Sequence, residues 1–264
     1  MRKWLAKPAQ VAGQETAPLF FYIKCNMWKE KNMPNHVKNI LKMKGITKLP
    51  LFSHKDGEMF FDFNKIIPMP ETLQMESGSI ENLAVEVVLR KLASPQSAPL
   101  RSCITPNMRD DVYQRCIENN AMSEDELCKL GLAYITNKVL YGATSWYYWC
   151  IMNWGSKWNS YSYEEQDEDT ISFETAWNAP EPVVSQLAAM YPDAVIEHWW
   201  ADENCGANSG YARYEGNGET ITNYHETGSS AALANYARCW GESWCYQDGE
   251  ELWCQIDCDE CHGC

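Results

Sequence analysis

The sequence predicts an α+β fold, with an antiparallel sheet in the C-terminal part and a region of short strands and helices before it. Three observations carry this. Ile171-Ser172-Phe173-Glu174-Thr175-Ala176-Trp177 alternates, which puts Ile171, Phe173, Thr175 and Trp177 on one face of a strand. Pro180-Glu181-Pro182 then opens a helix, since proline is tolerated in a first turn, and Val183, Val184, Leu187, Ala188 and Tyr191 form its apolar face. Beyond it, Tyr211 to Glu215 and Thr220 to Tyr224 flank Gly216-Asn217-Gly218, a hairpin signal.

The remaining elements follow in order. His36 to Lys44 reads as a short strand with Val37 and Ile40 as apolar anchors, and Phe60 to Ile67 as a second, stopped by Pro68-Met69-Pro70. Only residues 45–58, with Pro50 inside, connect them. Residues 92–107, containing Ser94-Pro95-Gln96-Ser97-Ala98-Pro99, form a loop. A helical region follows: Met108 to Asn119 carries Val112, Cys116 and Ile117 at helical spacing. Ser123-Glu124-Asp125-Glu126 is a capping box that starts a helix ending near Gly142. Ala194 to Ala201 is the strand after the Pro180 helix. Strand, helix, strand, strand is half of a ferredoxin-like sandwich, with the segment from Trp154 to Tyr161 expected to supply a neighbouring strand. The expected organisation is a leader or extension over 1–32, a strand and helical region over 33–145, the ferredoxin-like domain over 146–238 and a cysteine-rich tail over 239–264.

A chain of 264 residues with 45% hydrophobic and 22% charged residues is globular and long enough to bury about 70–75% of its unfolded surface. Its net charge of −14 is uneven. Residues 1–100 hold 14 Lys/Arg against 9 Asp/Glu, and residues 101–264 hold 8 against 27. The acidic part repels phosphates, which argues against nucleic-acid binding and suits a partner with a basic surface. Within it, Glu164-Glu165-Gln166-Asp167-Glu168-Asp169 reads first as a solvated connection and second as a basic-partner site. Val139 to Ser156 is uncharged, but Gly142, Thr144, Ser145, Asn153 and Gly155 interrupt it, so no membrane span is expected. No convincing signal peptide is present and six of the 12 cysteines are scattered, so a cytoplasmic protein with reduced thiols is expected.

Trp146 to Asn159 holds four tryptophans in fourteen positions, a density that marks a structural centre. Its second half, Asn153-Trp154-Gly155-Ser156-Lys157-Trp158-Asn159, resembles the hallmark segment of the YubB-like family of phage- and plasmid-borne proteins. Met33-Pro34-Asn35-His36-Val37, the stretch from Phe61 to Glu71, and Glu76-Ser77-Gly78-Ser79 extend the resemblance, which runs from residue 33 to about 220. The resemblance implies a ferredoxin-like C-terminal domain and a host-cytoplasmic setting. It implies no reaction, because the family has no established biochemical activity. Family members typically begin at the position of Met33. Lys29-Glu30 can be encoded by a purine-rich ribosome-binding sequence, so Met33 is the expected start; intact-mass measurement of the native protein tests this.

The chemistry-bearing candidates are few. Trp154, Lys157 and Trp158 are the candidate binding residues, either as a cation against aromatic faces or as strand residues with the tryptophans in the core and Gly155 permitting close backbone approach. Cys254, Cys258, Cys261 and Cys264, with His262 between the last two, are chemically adequate for zinc, with Cys239 and Cys245 as a more distant pair. The rival reading is a cysteine-rich tail without metal. His198 with Asp202, Glu203 and Asn208 is the acid–base alternative, set against a packed histidine on a strand. Phosphate loops and nucleophile motifs are absent from the sequence. These observations point to a non-enzymatic protein that binds a host macromolecule, with a basic host protein as partner and an anti-defence role as its specific version. The alternatives are a small enzyme or ligand-binding protein at His198/Asp202 and a metal-stabilised structural module.

Overall fold

In a computed structural model, residues 35–93, 107–215 and 218–241 are described, together with the backbone of two short strands at Trp244–Tyr246 and Trp253–Gln255. The expectations for residues 1–32 and most of the loop at 92–107 lie outside the described residues, as does part of the Gly216–Gly218 turn.

The chain begins with β1 (His36–Lys44), followed by a hairpin of β2 (Phe52–Lys55) and β3 (Glu58–Phe61). Three helices come next, α1 (Ser79–Leu92), α2 (Asp110–Glu118) and α3 (Glu124–Tyr141), then α4 (Trp146–Trp154). The C-terminal part runs β4 (Tyr161–Glu165), β5 (Thr170–Ala176), α5 (Glu181–Met190), β6 (Val195–Asp202), β7 (Ser209–Glu215), β8 (Thr220–His225) and α6 (Ser230–Trp240), with β9 (Trp244–Tyr246) and β10 (Trp253–Gln255) closing it. The fold is α+β and ferredoxin-like, built on a six-stranded antiparallel sheet in the order β4-β5-β1-β6-β7-β8.

β1 matches the expected strand but sits in the middle of the sheet, with Val37 opposite Thr175 on one side and Asp202 on the other. Val37 and Ile40 therefore face opposite ways. Val37, Leu41 and Met43 join Ile171, Phe173, Ile196 and Trp200 in the main core, which α4 and α5 cover through Trp149, Trp154, Val183 and Leu187. Ile40 lies on the other face, under α6, with Ala201, Tyr236 and Cys239.

Two strand expectations are corrected. The run Phe60 to Ile67 leaves the extended state at Asp62, whose carboxylate accepts from the Asn64 amide and caps a 3-10 turn over Phe63–Lys65. Trp154, Ser156 and Trp158 do not alternate along a strand. Trp146–Trp154 is a helix that buries Trp149, Cys150 and Trp154, and Gly155 ends it at φ 76°, where a side chain would also press on Pro182. The neighbouring strand starts later, at Tyr161.

The helices pack as a second core of Leu83, Ala84, Val87, Tyr113, Leu127 and Tyr134. α3 is bounded as its residues dictate, by the Ser123/Glu126 capping box and by Gly142 in the left-handed region. α1 and α3 touch where Gly131 faces Ala84. Buried Glu86 accepts from Arg90 Nε at 2.8 Å and from the Asn107 amide at 2.8 Å, and Arg90 reaches Asp110, fastening α1 to α2.

Candidate functional site

The segment 153–159 is braced residue by residue. The Asn153 side chain donates to Trp149 O at 2.9 Å, and Trp154 Nε1 donates to Ile67 O at 2.9 Å. Ser156 Oγ accepts from the Ala176 amide at the end of β5. Asn159 accepts from the Phe63 amide at 2.9 Å and donates to Asp62 at 2.7 Å, while Ser160 donates to Phe61 O. Lys157 and Trp158 take no part in this bracing, and both line a cavity of about 460 Å³.

The cavity lies between the start of α1 and the start of α4. Ser77, Gly78, Glu81 and Asn82 form one wall, and Trp146, Tyr147 and Tyr148 another. Lys157 Nζ stands 4.6 Å from the centre of the Trp158 ring, 4.8 Å from Trp177 and 5.7 Å from Tyr147. Desolvation lowers the lysine pKa, and it is the one cause of that shift. No carboxylate among the described residues pairs with the ammonium. The ring faces oppose the desolvation, since each favours the cation by about 0.5–2 kcal/mol. Glu81, the acidic residue of the wall, is occupied: its two oxygens accept from Thr144 Oγ1 and Ser145 Oγ. The result is a cation boxed by aromatic faces, with no counter-ion among the described residues.

Trp177 shows that the chain is held in place to make this box. Its φ is 73°, in the left-handed region that costs a bulky residue on the order of 1–3 kcal/mol. Both its backbone groups are tied down, its amide to Asn35 O and its carbonyl to Asn208 Nδ2, each at 2.9 Å.

The structure thus brings Lys157 and Trp158 together and sends Trp154 elsewhere. Trp154 is 3% exposed and packs edge-on against Phe63 and Trp149. Tyr147, Trp177 and Glu81 complete the wall and the box, and no local sequence pattern marks them for it. Trp177 ends an alternating run and looks like a core residue until its reversed backbone is seen.

The acid–base alternative does not assemble. His198 is fully buried, with Nε2 at 3.0 Å from Asn39 Oδ1, in the main core against Trp200. Asp202 stands four residues along the same strand, about 13 Å away at 3.3 Å per residue. Its carboxylate is used by the Asn204 amide and side chain and by Asn35. Glu203 is exposed, and Asn208 braces Trp177.

Of the metal candidates, Cys254 lies on β10 opposite Cys245 on β9, and Cys258, Cys261 and Cys264 lie outside the described residues. Cys239 lies on the buried face of α6, and burial pushes its thiol up to about 12, opposite to what a thiolate ligand needs. Among the described residues no group of three or more His, Cys, Asp or Glu could hold a metal ion. The acidic run is largely spent on structure. Lys38 pairs with Glu164 and Lys48 with Glu165, while Asp167 accepts from the Asp169 amide to form the β4–β5 turn. No described helix is long and apolar enough to cross a membrane, and Gly142 separates α3 from α4 within the uncharged stretch.

Residues 157–242 match the family model of the ferredoxin-like domain in Api92-like protein. The match opens at Lys157 and runs through α6. Among solved structures, this chain is similar to the crystal structure of protein api92 from Yersinia pseudotuberculosis, at 12% identity and a TM-score of 0.34, over 75% of this chain and all of that one. No curated protein matches.

Proposed function

We propose that this chain is a non-enzymatic accessory protein that binds a host protein, with the cleft around Lys157 and Trp158 as its specific contact. The observation that carries this reading is the Lys157 ammonium, boxed by three aromatic rings and left without a carboxylate partner among the described residues. A desolvated cation beside exposed Tyr148 and Trp158 is the composition of a binding hot spot, where one partner group completes an unfinished interaction. That group is an acidic side chain, presented with an apolar neighbour that covers the aromatic wall.

The net charge of −14 acts at longer range. It speeds encounter with a partner whose wider surface is basic, while the cleft selects the residue that docks. The resemblance to phage- and plasmid-borne proteins supports a mobile-element origin and a host target, with an anti-defence factor as the specific form.

The test is a titration of the full chain with short peptides of matched length, carrying an acidic, basic or neutral residue beside an aromatic one, followed by tryptophan fluorescence. The acidic peptide should bind best, and Lys157→Met should weaken it by about tenfold, the loss of about 1.4 kcal/mol. Equal affinity for all three peptides, or an unchanged affinity in the variant, refutes the cleft as the contact.

A further inference from the structure

The far face of the sheet carries a second, separate groove of about 320 Å³ between α6 and strands β6 to β8. Its origin is local. Ser229 caps α6 by accepting from the Ala232 amide, and buried Asn235 pins the helix to the sheet by donating to Trp200 O and Gly210 O, both at 2.8 Å. On the opposite face of the sheet Gly210 is required as well, because a side chain there would overlap the Trp200 ring of the main core. The helix lines the groove with Ala231, Ala234, Asn235 and Arg238, and the two small alanines leave it open.

The floor is an aromatic pair that comes from the strand register. Trp199 lies opposite Tyr211, with ring centres 5.2 Å apart, and Tyr211 lies opposite Asn223 on β8. Arg238 sits with its guanidinium 5.0 Å from the centre of the Trp199 ring and makes no ion pair among the described residues. A guanidinium at this distance is attracted to the ring face and still has its planar fork of N–H donors to offer a phosphate. Asn223, exposed on the groove wall, supplies both a donor and an acceptor. His225 adds a ring whose Nδ1 is engaged with Ser209 Oγ at 3.2 Å.

We propose that this groove binds a free nucleotide, with the base over the Trp199–Tyr211 floor, the base edge against Asn223 and the phosphate on Arg238. The three chemistries match one molecule: a base for the two aromatic rings, which are tilted by 41° to each other, a base edge for the directional amide, and an anion for the fork. The net charge of −14 decides between a free nucleotide and a polynucleotide, because the added phosphates of a strand would meet a repulsive field instead of releasing counter-ions to a basic surface.

The experiment is amide and indole NMR of the full chain titrated with AMP, CMP, adenosine, inorganic phosphate and a single-stranded decanucleotide. The expected result is a saturable shift of the Trp199 indole with AMP or CMP, weakened about tenfold or more by Arg238→Gln and also reduced by Asn223→Ala. Both substituted side chains are exposed, and the unchanged amide spectrum of each variant verifies its fold. Lys157→Met should leave nucleotide binding unchanged, which separates this groove from the Lys157 cleft. No saturable shift with either nucleotide, equal binding by Arg238→Gln, or phosphate or adenosine alone binding as tightly overturns the proposal. So does tighter binding of the decanucleotide than of the mononucleotides.

Discussion

Acidification should find one weak point in the main core. His198 is fully buried, and its hydrogen-bond roles follow from Asn39. The Asn39 amide nitrogen donates to Val37 O and to Thr175 Oγ1, each at 2.9 Å, so its oxygen accepts from His198 Nε2. The neutral ring therefore carries its proton on Nε2. Nδ1 has no hydrogen-bond partner among the described residues, and a proton added there would bring a buried charge that none of them receives. Desolvation lowers this histidine from 6.5 to about 3.

The direction follows from proton counting. Below pH 6.5 the unfolded chain binds a proton that the folded chain refuses, so stability is full above that value and declines as pH falls toward 3. The slope is about 1.4 kcal/mol per pH unit, or about 3 kcal/mol between pH 6.5 and 4.5. Other groups contribute their own slopes, so the assay is a comparison. Urea unfolding, followed by tryptophan fluorescence from pH 7.5 to 4.5, is run on the native sequence and on His198→Gln, whose amide keeps a donor for Asn39 but does not titrate. The stability difference between the two should narrow or reverse as pH falls, by about 1.4 kcal/mol per unit. Parallel curves would refute the reasoning, and with it the neutral, buried histidine.

Three further outcomes are expected. Gly131→Ala would place a methyl group 2.1 Å from Ala84 O, forcing α1 and α3 apart, at a cost of about 1–3 kcal/mol in chemical unfolding. Ser123→Ala removes the acceptor for the Glu126 amide at the start of α3 and should cost about 1 kcal/mol, without altering the tryptophan emission of the sheet. Trp154→Phe leaves Ile67 O without its donor and opens a void beside Phe63. It should lower stability by about 2–4 kcal/mol while leaving peptide binding at the Lys157 cleft within about twofold, since Trp154 does not line it.

What could be read in advance was what is written locally. The capping box at Ser123, the stop at Gly142, the apolar face of α5, the alternation of β5 and the Gly216-Asn217-Gly218 signal between β7 and β8 all depend on residues within a few positions of each other. α1 is not legible locally because Gly78 offers no side-chain cap, and because its buried face includes Glu81 and Glu86, whose partners are Thr144 and Ser145 ahead of α4, Arg90 one turn along, and Asn107 ahead of α2. α4 has no sequence signal of its own, and the alternation of Trp154, Ser156 and Trp158 imitates a strand where the helix ends. Its own period is hidden in a run that is apolar on nearly every side. The site divides the same way. Lys157 and Trp158 stand out in sequence, but the third ring of the box reaches Lys157 only because Asn35 and Asn208, distant in the chain, hold Trp177 in a reversed conformation.

The central position of β1 sets an order of events during synthesis. Val37, Leu41 and Met43 leave the ribosome early, but their neighbours on β5 and β6 lie roughly 130 to 165 residues further along. At ~5–20 residues per second, the strand waits about 7–28 s for its first lateral partner. The helical core of α1 to α3 draws mainly on contacts within its own stretch, and helices and short loops form in microseconds to milliseconds. That part is therefore complete while β1 still presents three apolar side chains and two unpaired edges. Nascent chains halted between residues 145 and 195 should be the aggregation-prone species, and the ones that chaperones hold.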